Sequence, residues 1–168
     1  LSDNAVMQMA GWTDGGFSMV AHNYDGDILT DLQGKIYKSP GLISSVLTGV
    51  DSEGHKIMEF EASHGTDHGQ YLAHLKGQPT SHNPMGMVYA LRNAIDHSVN
   101  IAVEKKEMSE EDAAKAKRFT ALMYDSMCEA IADSKGTKDI FTKSEVKEGK
   151  GAKSEEFIDE VAARIQQK

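Results

Sequence analysis

Cysteine and long apolar runs are almost absent from this sequence of 168 residues. Its single cysteine, Cys128, excludes an internal disulfide and fits a reducing compartment. Cys128 lies in the helically spaced run ALMYDSMCEAIA, where a small buried side chain is a simpler explanation than a reactive thiol. No apolar run approaches the length needed to span a membrane. The length and an apolar fraction of 39% suffice for one ordinary domain with a buried core.

Arginine is also scarce, and its three occurrences are Arg92, Arg118 and Arg164. The 26 acidic residues outnumber the 18 basic ones, which gives a net charge of −8. An acidic chain without a basic cluster argues against nucleic acids and anionic membranes as main partners. The scarcity matters for phosphate recognition as well, because arginine is the side chain best suited to bidentate contact with phosphate.

Hydrophobic spacing predicts helices and strands in alternation over the first half of the chain. Helices are predicted at residues 3–12 and 23–37, with a turn at 14–16 and a buried strand at 17–21 between them. Residues 42–49 are ambiguous between a helix end and a strand, whereas 56–62 alternate as a strand. These last two runs are expected to pair across a turn at 51–54.

The second half of the chain predicts three helices. One begins near Pro84 and ends near residue 103, one follows Ser109 as N-cap and ends near 133, and the last begins at Ser154, a good N-cap residue. Residues 134–153 are predicted to form a surface loop that contains a short element at 139–142. The side chains expected to face inward are Met85, Val88, Leu91, Ile95, Val99, Phe119, Leu122, Met123, Met127, Ile131, Phe157, Ile158, Val161 and Ile165. The order of elements predicts an α/β layer fold.

The segment from Glu61 to Pro84 holds four of the seven histidines, three glycines and two of the three prolines. Such a polar segment between ordered elements is typical of a ligand-binding loop. His64-Gly65-Thr66 follows a predicted strand, where backbone amides can approach a nucleotide phosphate. A zinc cluster is an alternative, although only His64 and His68 have the close spacing of ligands. Asn83 is either a helix cap or an amide that pairs with the edge of a base such as adenine.

Two aspartates lie four residues apart on the second predicted helix. Asp27 and Asp31 therefore project from one face, about one turn apart. Carboxylate oxygens are preferred ligands of Mg²⁺ and Mn²⁺, so the pair is a candidate metal site. The alternative is that acids near a helix N-terminus only complement the helix dipole.

Three sequence blocks together resemble the eukaryotic-type homodimeric class of isocitrate dehydrogenases. They are NYDGD with Asp31 four residues after Asp27, EASHGT from Glu61, and GQPTSHNP ending at Pro84. The corresponding family blocks are NYDGD, EAAHGT and GQETSTNP, in this order and at similar spacing. LSDN at the start and TKD at 137–139 also resemble family segments, so the resemblance covers essentially the whole chain.

The resemblance implies the fold of the β-decarboxylating dehydrogenases, and it implies that this chain is the C-terminal portion of such an enzyme. Residues 1–38 would end the small, dimer-interface domain, and 39–168 would belong to the large cofactor-binding domain. Leu1 is not a methionine and lies in a helical pattern, which agrees with an incomplete chain. The compartment, mitochondrial matrix or cytoplasm, therefore stays undecided.

The resemblance also implies a reaction and its ligands. It is the oxidative decarboxylation of isocitrate to 2-oxoglutarate, a step of the tricarboxylic acid cycle, with a nicotinamide dinucleotide and Mg²⁺ or Mn²⁺. Asp27 and Asp31 match metal ligands, and Asp3 matches a ligand supplied to the neighbouring subunit's site in a homodimer. The residues of this sequence that match or complete the cofactor site are Glu61, His64, Gly65, Thr66, Asp67, His68, Gly69, Gln70 and Asn83.

The sequence departs from the family at the cofactor loop. NADP-dependent members carry an Arg-His pair where this chain has Gly69 and Gln70, and a valine where it has Asp67. No lysine follows Asp3 on its helix. Without these bases the cost of desolvating the 2′-phosphate is not offset, and an acid can instead accept hydrogen bonds from ribose. The sequence therefore predicts a preference for NAD.

The family's substrate-binding arginines and its active-site lysine and tyrosine have no counterpart in these 168 residues. The catalytic residues are therefore unassigned, and the chain alone is expected to be inactive. Two alternatives stay open. One is a related dehydrogenase acting on homoisocitrate, isopropylmalate or tartrate, and the other is a non-catalytic, nucleotide-binding regulatory subunit.

Overall fold

A computed structural model of the chain describes residues 2–11, 16, 18–38 and 40–168. The chain divides into two compact units, one up to Pro40 and one over Gly41–Lys168. None of the helices described is both long and apolar enough to cross a membrane.

The first unit contains two helices, α1 (Ser2–Gly11) and α2 (Asn23–Ile36). Both confirm the helices predicted at 3–12 and 23–37, although Trp12 lies outside the described residues. Helix α2 is followed by its C-cap residue Tyr37, whose N–H donates to the carbonyl oxygen of Gln33.

The strand predicted at 17–21 is wrong for the residues that can be assessed. Ser18–Ala21 have no regular secondary structure, and Phe17 lies outside the described residues, as do positions 14 and 15 of the predicted turn. A short apolar run becomes a strand only when a neighbouring strand accepts its backbone hydrogen bonds. No described residue of this unit forms such a strand.

The second unit begins with an antiparallel hairpin of β1 (Ser44–Val50) and β2 (Lys56–Ala62), in which Ser44 pairs with Ala62. The structure thus resolves the ambiguity at 42–49 as a strand and confirms the predicted pairing. The turn is fixed by Asp51, whose carboxylate accepts N–H bonds from Glu53 and His55. These bonds hold the pKa of Asp51 below its usual value.

Five helices follow the hairpin: α3 (His68–Leu75), α4 (Met85–Glu104), α5 (Glu110–Ala132), α6 (Lys143–Lys147) and α7 (Ser154–Gln166). Helix α4 packs against the hairpin on one side and against α5 on the other, and α5 packs against α7. The buried core between α4, α5 and α7 consists of Met85, Met127, Ala130, Phe157 and Val161. The result is a hairpin covered by layers of helices.

The helix starts predicted from the sequence agree with the structure except for that of the last helix. Ser109 is the N-cap of α5 and accepts a hydrogen bond from the Asp112 N–H, as predicted. Ser154, however, is the first residue of α7, and the N-cap of this helix is Lys153. The N–H of Lys153 donates to the Glu156 carboxylate. The Ser154 hydroxyl is instead used in a tertiary contact with residue 82.

The prediction that side chains face the core is wrong for three residues. Leu91, Phe119 and Ile158 are 51%, 57% and 55% exposed, respectively. Helical spacing indicates which side of a helix is apolar, but the neighbouring elements decide how much of that side they cover.

The surface loop predicted at 134–153 is also wrong in part. The short element predicted at 139–142 overlaps a 3₁₀ turn at Lys138–Ile140, but the segment also contains α6, and Thr137 within it is fully buried. Thr137 forms a parallel β-bridge with Ala152. A segment rich in glycine and lysine is therefore folded against the body of the unit.

Candidate cofactor site

The polar loop lies between β2 and α4 and carries α3 in its middle. Its entry is tied to the hairpin, because the Ser63 N–H donates to the Ile43 carbonyl oxygen at 3.3 Å. Glu61, at the end of β2, is exposed and accepts a hydrogen bond from the Ser45 hydroxyl at 3.2 Å. Gly65, Thr66, His68 and Gly69 are exposed along the loop and the start of α3.

Asp67 is the N-cap residue of α3 and has a left-handed backbone, at φ 41° and ψ 50°. Its carbonyl oxygen accepts bonds from the N–H groups of Gln70 and Tyr71. Its carboxylate makes no capping bond to the helix. Instead the carboxylate oxygen Oδ2 lies 3.0 Å from Nδ1 of His82, fifteen residues further along the chain. A carboxylate can only accept, so Nδ1 of His82 is the donor.

His64 lies beside this pair. Its ring meets the His82 ring edge-on, with the ring centroids 5.3 Å apart. Its Nδ1 donates to the carbonyl oxygen of Gly65 at 2.9 Å, which leaves Nε2 as the acceptor when the ring is neutral. Nε2 is buried and has no hydrogen-bond partner among the residues described. A buried acceptor without a partner is unfavourable, and it is a natural point of contact for a ligand donor.

A cleft of about 260 Å³ opens between the loop and α3. It is lined by Thr66, Asp67, Gln70, Tyr71, His74, Thr80 and His82. Within the described part of the chain, no lysine or arginine lines it. Gln70 is held in place because its side-chain oxygen accepts the Ser81 N–H at 3.1 Å. Asp67 is therefore the acidic residue among the described residues that line the cleft.

Asn83 faces the body of the unit rather than the cleft. It is 4% exposed, its Nδ2 donates to Asp139 at 2.9 Å, and its Oδ1 accepts the Met85 N–H at 3.0 Å. The side chain thus acts as a cap for the first turn of α4, one of the two roles considered for it. The other role, contact with the edge of a base, stays a prediction, because the buried side chain does not line the cleft.

Sequence reasoning missed the residues that anchor this end of the loop. Ser81 Oγ donates to the Ala152 carbonyl at 2.6 Å and accepts the Lys138 N–H at 2.9 Å. Ser154 Oγ accepts the His82 N–H at 2.8 Å. The clustering of small hydroxyl residues before Asn83-Pro84 was an available signal, but the partners lie more than fifty residues away.

The candidate metal carboxylates lie in the first unit. Asp27 and Asp31 are exposed on α2, and neither carboxylate has a hydrogen bond or ion pair with any residue that the structure describes. Asp3 lies in α1, and its side chain is outside the described structure. Across the described residues, no three His, Cys, Asp or Glu side chains form a group able to hold a metal ion, and the histidines of the loop are included in that result.

Comparison with known proteins identifies the family. The sequence model of the isocitrate/isopropylmalate dehydrogenase family matches residues 1–161, and the chain belongs to this family. A mitochondrial isocitrate dehydrogenase (NAD(+)) of Ostreococcus tauri is 42% identical over 165 residues, which are 98% of this chain and 32% of that protein. A chloroplastic/mitochondrial isocitrate dehydrogenase of Arabidopsis thaliana, named as NADP-dependent, is 31% identical over 156 residues, 91% of this chain and 30% of that protein.

The same family appears among solved structures. A crystal structure of isocitrate dehydrogenase from Ostreococcus tauri, in complex with isocitrate and magnesium(II), matches with a TM-score of 0.79 and 42% identity. The match covers 98% of this chain and 38% of that one. The predicted fold of the β-decarboxylating dehydrogenases is thus confirmed. The chain spans about a third of the length of the curated relatives it matches.

Proposed function

We propose that this chain is part of an NAD-dependent isocitrate dehydrogenase, which oxidatively decarboxylates isocitrate to 2-oxoglutarate with Mg²⁺ or Mn²⁺. Family membership and the NAD-dependent relative from Ostreococcus tauri support the reaction. The observation that carries the cofactor choice is the cleft beside α3. Asp67 contributes a carboxylate to the cleft. Among the described residues that line the cleft there is no lysine or arginine, and the basic side chains are those of His74 and His82.

The charge in the cleft discriminates between the two dinucleotides. NADP carries a phosphate on the adenine ribose, and burying it requires cationic or hydrogen-bonding partners. A carboxylate repels that phosphate, whereas it accepts a hydrogen bond from the free ribose hydroxyl of NAD. The position of Asp67 in the cleft therefore favours NAD.

The residues of the loop fit a dinucleotide. His64 offers the buried acceptor Nε2, Gly65 and Thr66 offer exposed backbone, and Asn83 keeps one amide hydrogen for the adenine edge. Gln70 lines the cleft, and Glu61, His68 and Gly69 are proposed to complete the cofactor site. The nicotinamide ring of the bound cofactor would accept a hydride from the substrate. The role of this chain is to bind and orient the adenine end.

Asp27 and Asp31 fit a divalent ion, because they are two exposed carboxylates without described partners, spaced one helical turn apart. Asp3 would complete the ligand set from the neighbouring subunit of a homodimer. A bound ion would polarise the hydroxyl and carboxylate of isocitrate. Calorimetry on the full-length protein should show weaker Mg²⁺ binding for Asp27→Asn and Asp31→Asn, and wild-type binding for Asp25→Asn on the same helix.

The decisive experiment measures kcat/KM for both cofactors on the full-length protein. We expect the wild type to favour NAD, and Gly69→Arg to raise the use of NADP by about tenfold. Gly69 tolerates the change, since a Cβ there meets no described atom within 4 Å and no positive φ is involved. Gly69→Gln, of similar reach but neutral, is the matched control. A wild type that favours NADP would overturn the cofactor proposal.

Gln70→His, the second half of the family's Arg-His pair, is best added afterwards. It removes the acceptor that holds the Ser81 N–H, so the loop would change together with the charge. We also propose that the 168 residues alone do not turn over isocitrate, because the family's substrate-binding residues have no counterpart in them. The same assay on the isolated chain tests this, and measurable turnover would contradict it.

We propose a mitochondrial location, supported by the Ostreococcus tauri relative that is named as mitochondrial. Imaging of the tagged full-length protein against a mitochondrial marker is the test. Signal confined to the cytoplasm would contradict this assignment.

A further inference from the structure

The pair formed by Asp67 and His82 is an unusual arrangement for an N-cap aspartate. An aspartate at this position normally accepts hydrogen bonds from the free N–H groups of its own helix. Here the carboxylate makes no such bond and turns towards His82. The side chains of His82 and Asp67 are 38% and 41% exposed, so their attraction contributes little to the stability of the fold. The contact instead fixes where the carboxylate points.

His82 is the better anchored partner of the two. Its backbone N–H donates to the Ser154 hydroxyl at the start of α7, and its ring packs edge-on against His64. Its neighbours Ser81 and Asn83 are hydrogen-bonded to Lys138, Asp139 and Ala152 in the segment before α7. Asp67, in contrast, lies on the exposed part of the loop. His82 therefore links the loop to the body of the unit.

We propose that His82 is a positioning residue for cofactor discrimination, which holds the Asp67 carboxylate in the cleft where a ribose 2′ substituent would lie. This inference rests on the proposed NAD-dependent function and adds a residue to it. Both side chains line the same cleft, and His82 supplies the donor that keeps the carboxylate away from the amides of α3. Without that donor the carboxylate is free to turn back and cap α3.

The family block GQETSTNP has threonine at the position of His82, which makes His82→Thr the natural variant. Its shorter side chain cannot donate to Asp67 from the same distance. In the full-length protein we expect the ratio of kcat/KM for NAD to that for NADP to fall by about fivefold. The change should fall mainly on KM, higher for NAD and lower for NADP, because the residue acts on cofactor binding.

A conservative variant separates positioning from a general structural role. His82→Asn places an amide N–H near the position of Nδ1 and should restore most of the wild-type ratio. Asp67→Asn, which removes the charge and keeps the shape, should lower the ratio by about tenfold. The double variant Asp67→Asn/His82→Thr should be no worse than Asp67→Asn alone, because His82 acts through the carboxylate.

Three outcomes would overturn the proposal: an unchanged ratio in His82→Thr, a His82→Asn variant that behaves like His82→Thr, or additive losses in the double variant. Thermal unfolding of each variant checks that it is folded, and the half-exposed pair makes large losses of stability unexpected. The same measurements distinguish a failure of this proposal from a failure of the proposed function. A wild type that favours NADP refutes the NAD preference, whereas an NAD-preferring wild type with an unaffected His82→Thr ratio refutes only the role of His82.

Discussion

Helix α4 closely approaches the entry to the hairpin at Gly86, the second residue of α4, and this contact supports a quantitative prediction. A Cβ added at Gly86 would lie 2.6 Å from the carbonyl oxygen of Ile43, 3.2 Å from that of Gly41 and 3.5 Å from the Cβ of Ala62. The first two contacts are with backbone, which cannot rotate away as a long side chain can. Gly86 therefore allows α4 to pack directly against the entry to the hairpin.

The magnitude follows from two opposing terms. Overpacking a close-packed site costs about 1–3 kcal/mol. Replacing glycine by alanine in a helix returns up to about 1 kcal/mol through helix propensity, and less in the first turn. The steric term is larger, so Gly86→Ala should lower the free energy of unfolding by about 1–2 kcal/mol.

The chain offers a matched control for this experiment. Gly69 is also the second residue of a helix, α3, but a Cβ there meets no described atom within 4 Å. Gly69→Ala should therefore leave stability unchanged or raise it slightly. Both variants can be compared by urea unfolding of the full-length protein. If Gly86→Ala is as stable as Gly69→Ala, the close packing of α4 against the hairpin does not depend on a glycine.

Two further predictions concern the segment before α7. Gly151→Ala should lower the free energy of unfolding by about 2–3 kcal/mol, since Gly151 has φ +95° and its added Cβ would lie 2.8 Å from Cα of Lys138. The control is Gly149→Ala, which has the same φ but no described atom within 4 Å of the added Cβ, and it should cost about 1 kcal/mol. Equal losses of the two variants in urea unfolding would contradict the role of the Lys138 contact. Hydrogen bonds from the backbone and side chain of Thr142 lower the pKa of Glu145 from 4.5 to about 2. Because the folded-state pKa is depressed, the stability that these capping bonds contribute is complete above pH 4.5 and is lost as the pH falls towards about 2. An NMR titration of the Glu145 carboxyl should therefore have a midpoint near 2, and Thr142→Val should raise it; a midpoint of 4.5 in the wild type would contradict the capping geometry.

Local patterns were sufficient for much of the fold. The alternation in residues 56–62 predicted β2, and Ser109 marked the start of α5 because a cap and its helix are adjacent in sequence. The same reasoning misplaced the start of α7, since the Ser154 hydroxyl bonds to His82 rather than to its own helix. It also predicted that Leu91 and Phe119 are buried, but both are exposed because no described element covers them.

The sequence blocks determined the family and the order of the site residues along the chain, because motifs such as NYDGD and HGT depend on neighbours in sequence. Only the tertiary structure placed the carboxylate of Asp67 against His82 and turned the amide of Asn83 towards Asp139. The residues of these pairs lie 15 and 56 positions apart. Contacts at such separations depend on how helices and loops pack, and helical or strand periodicity contains no information about that packing.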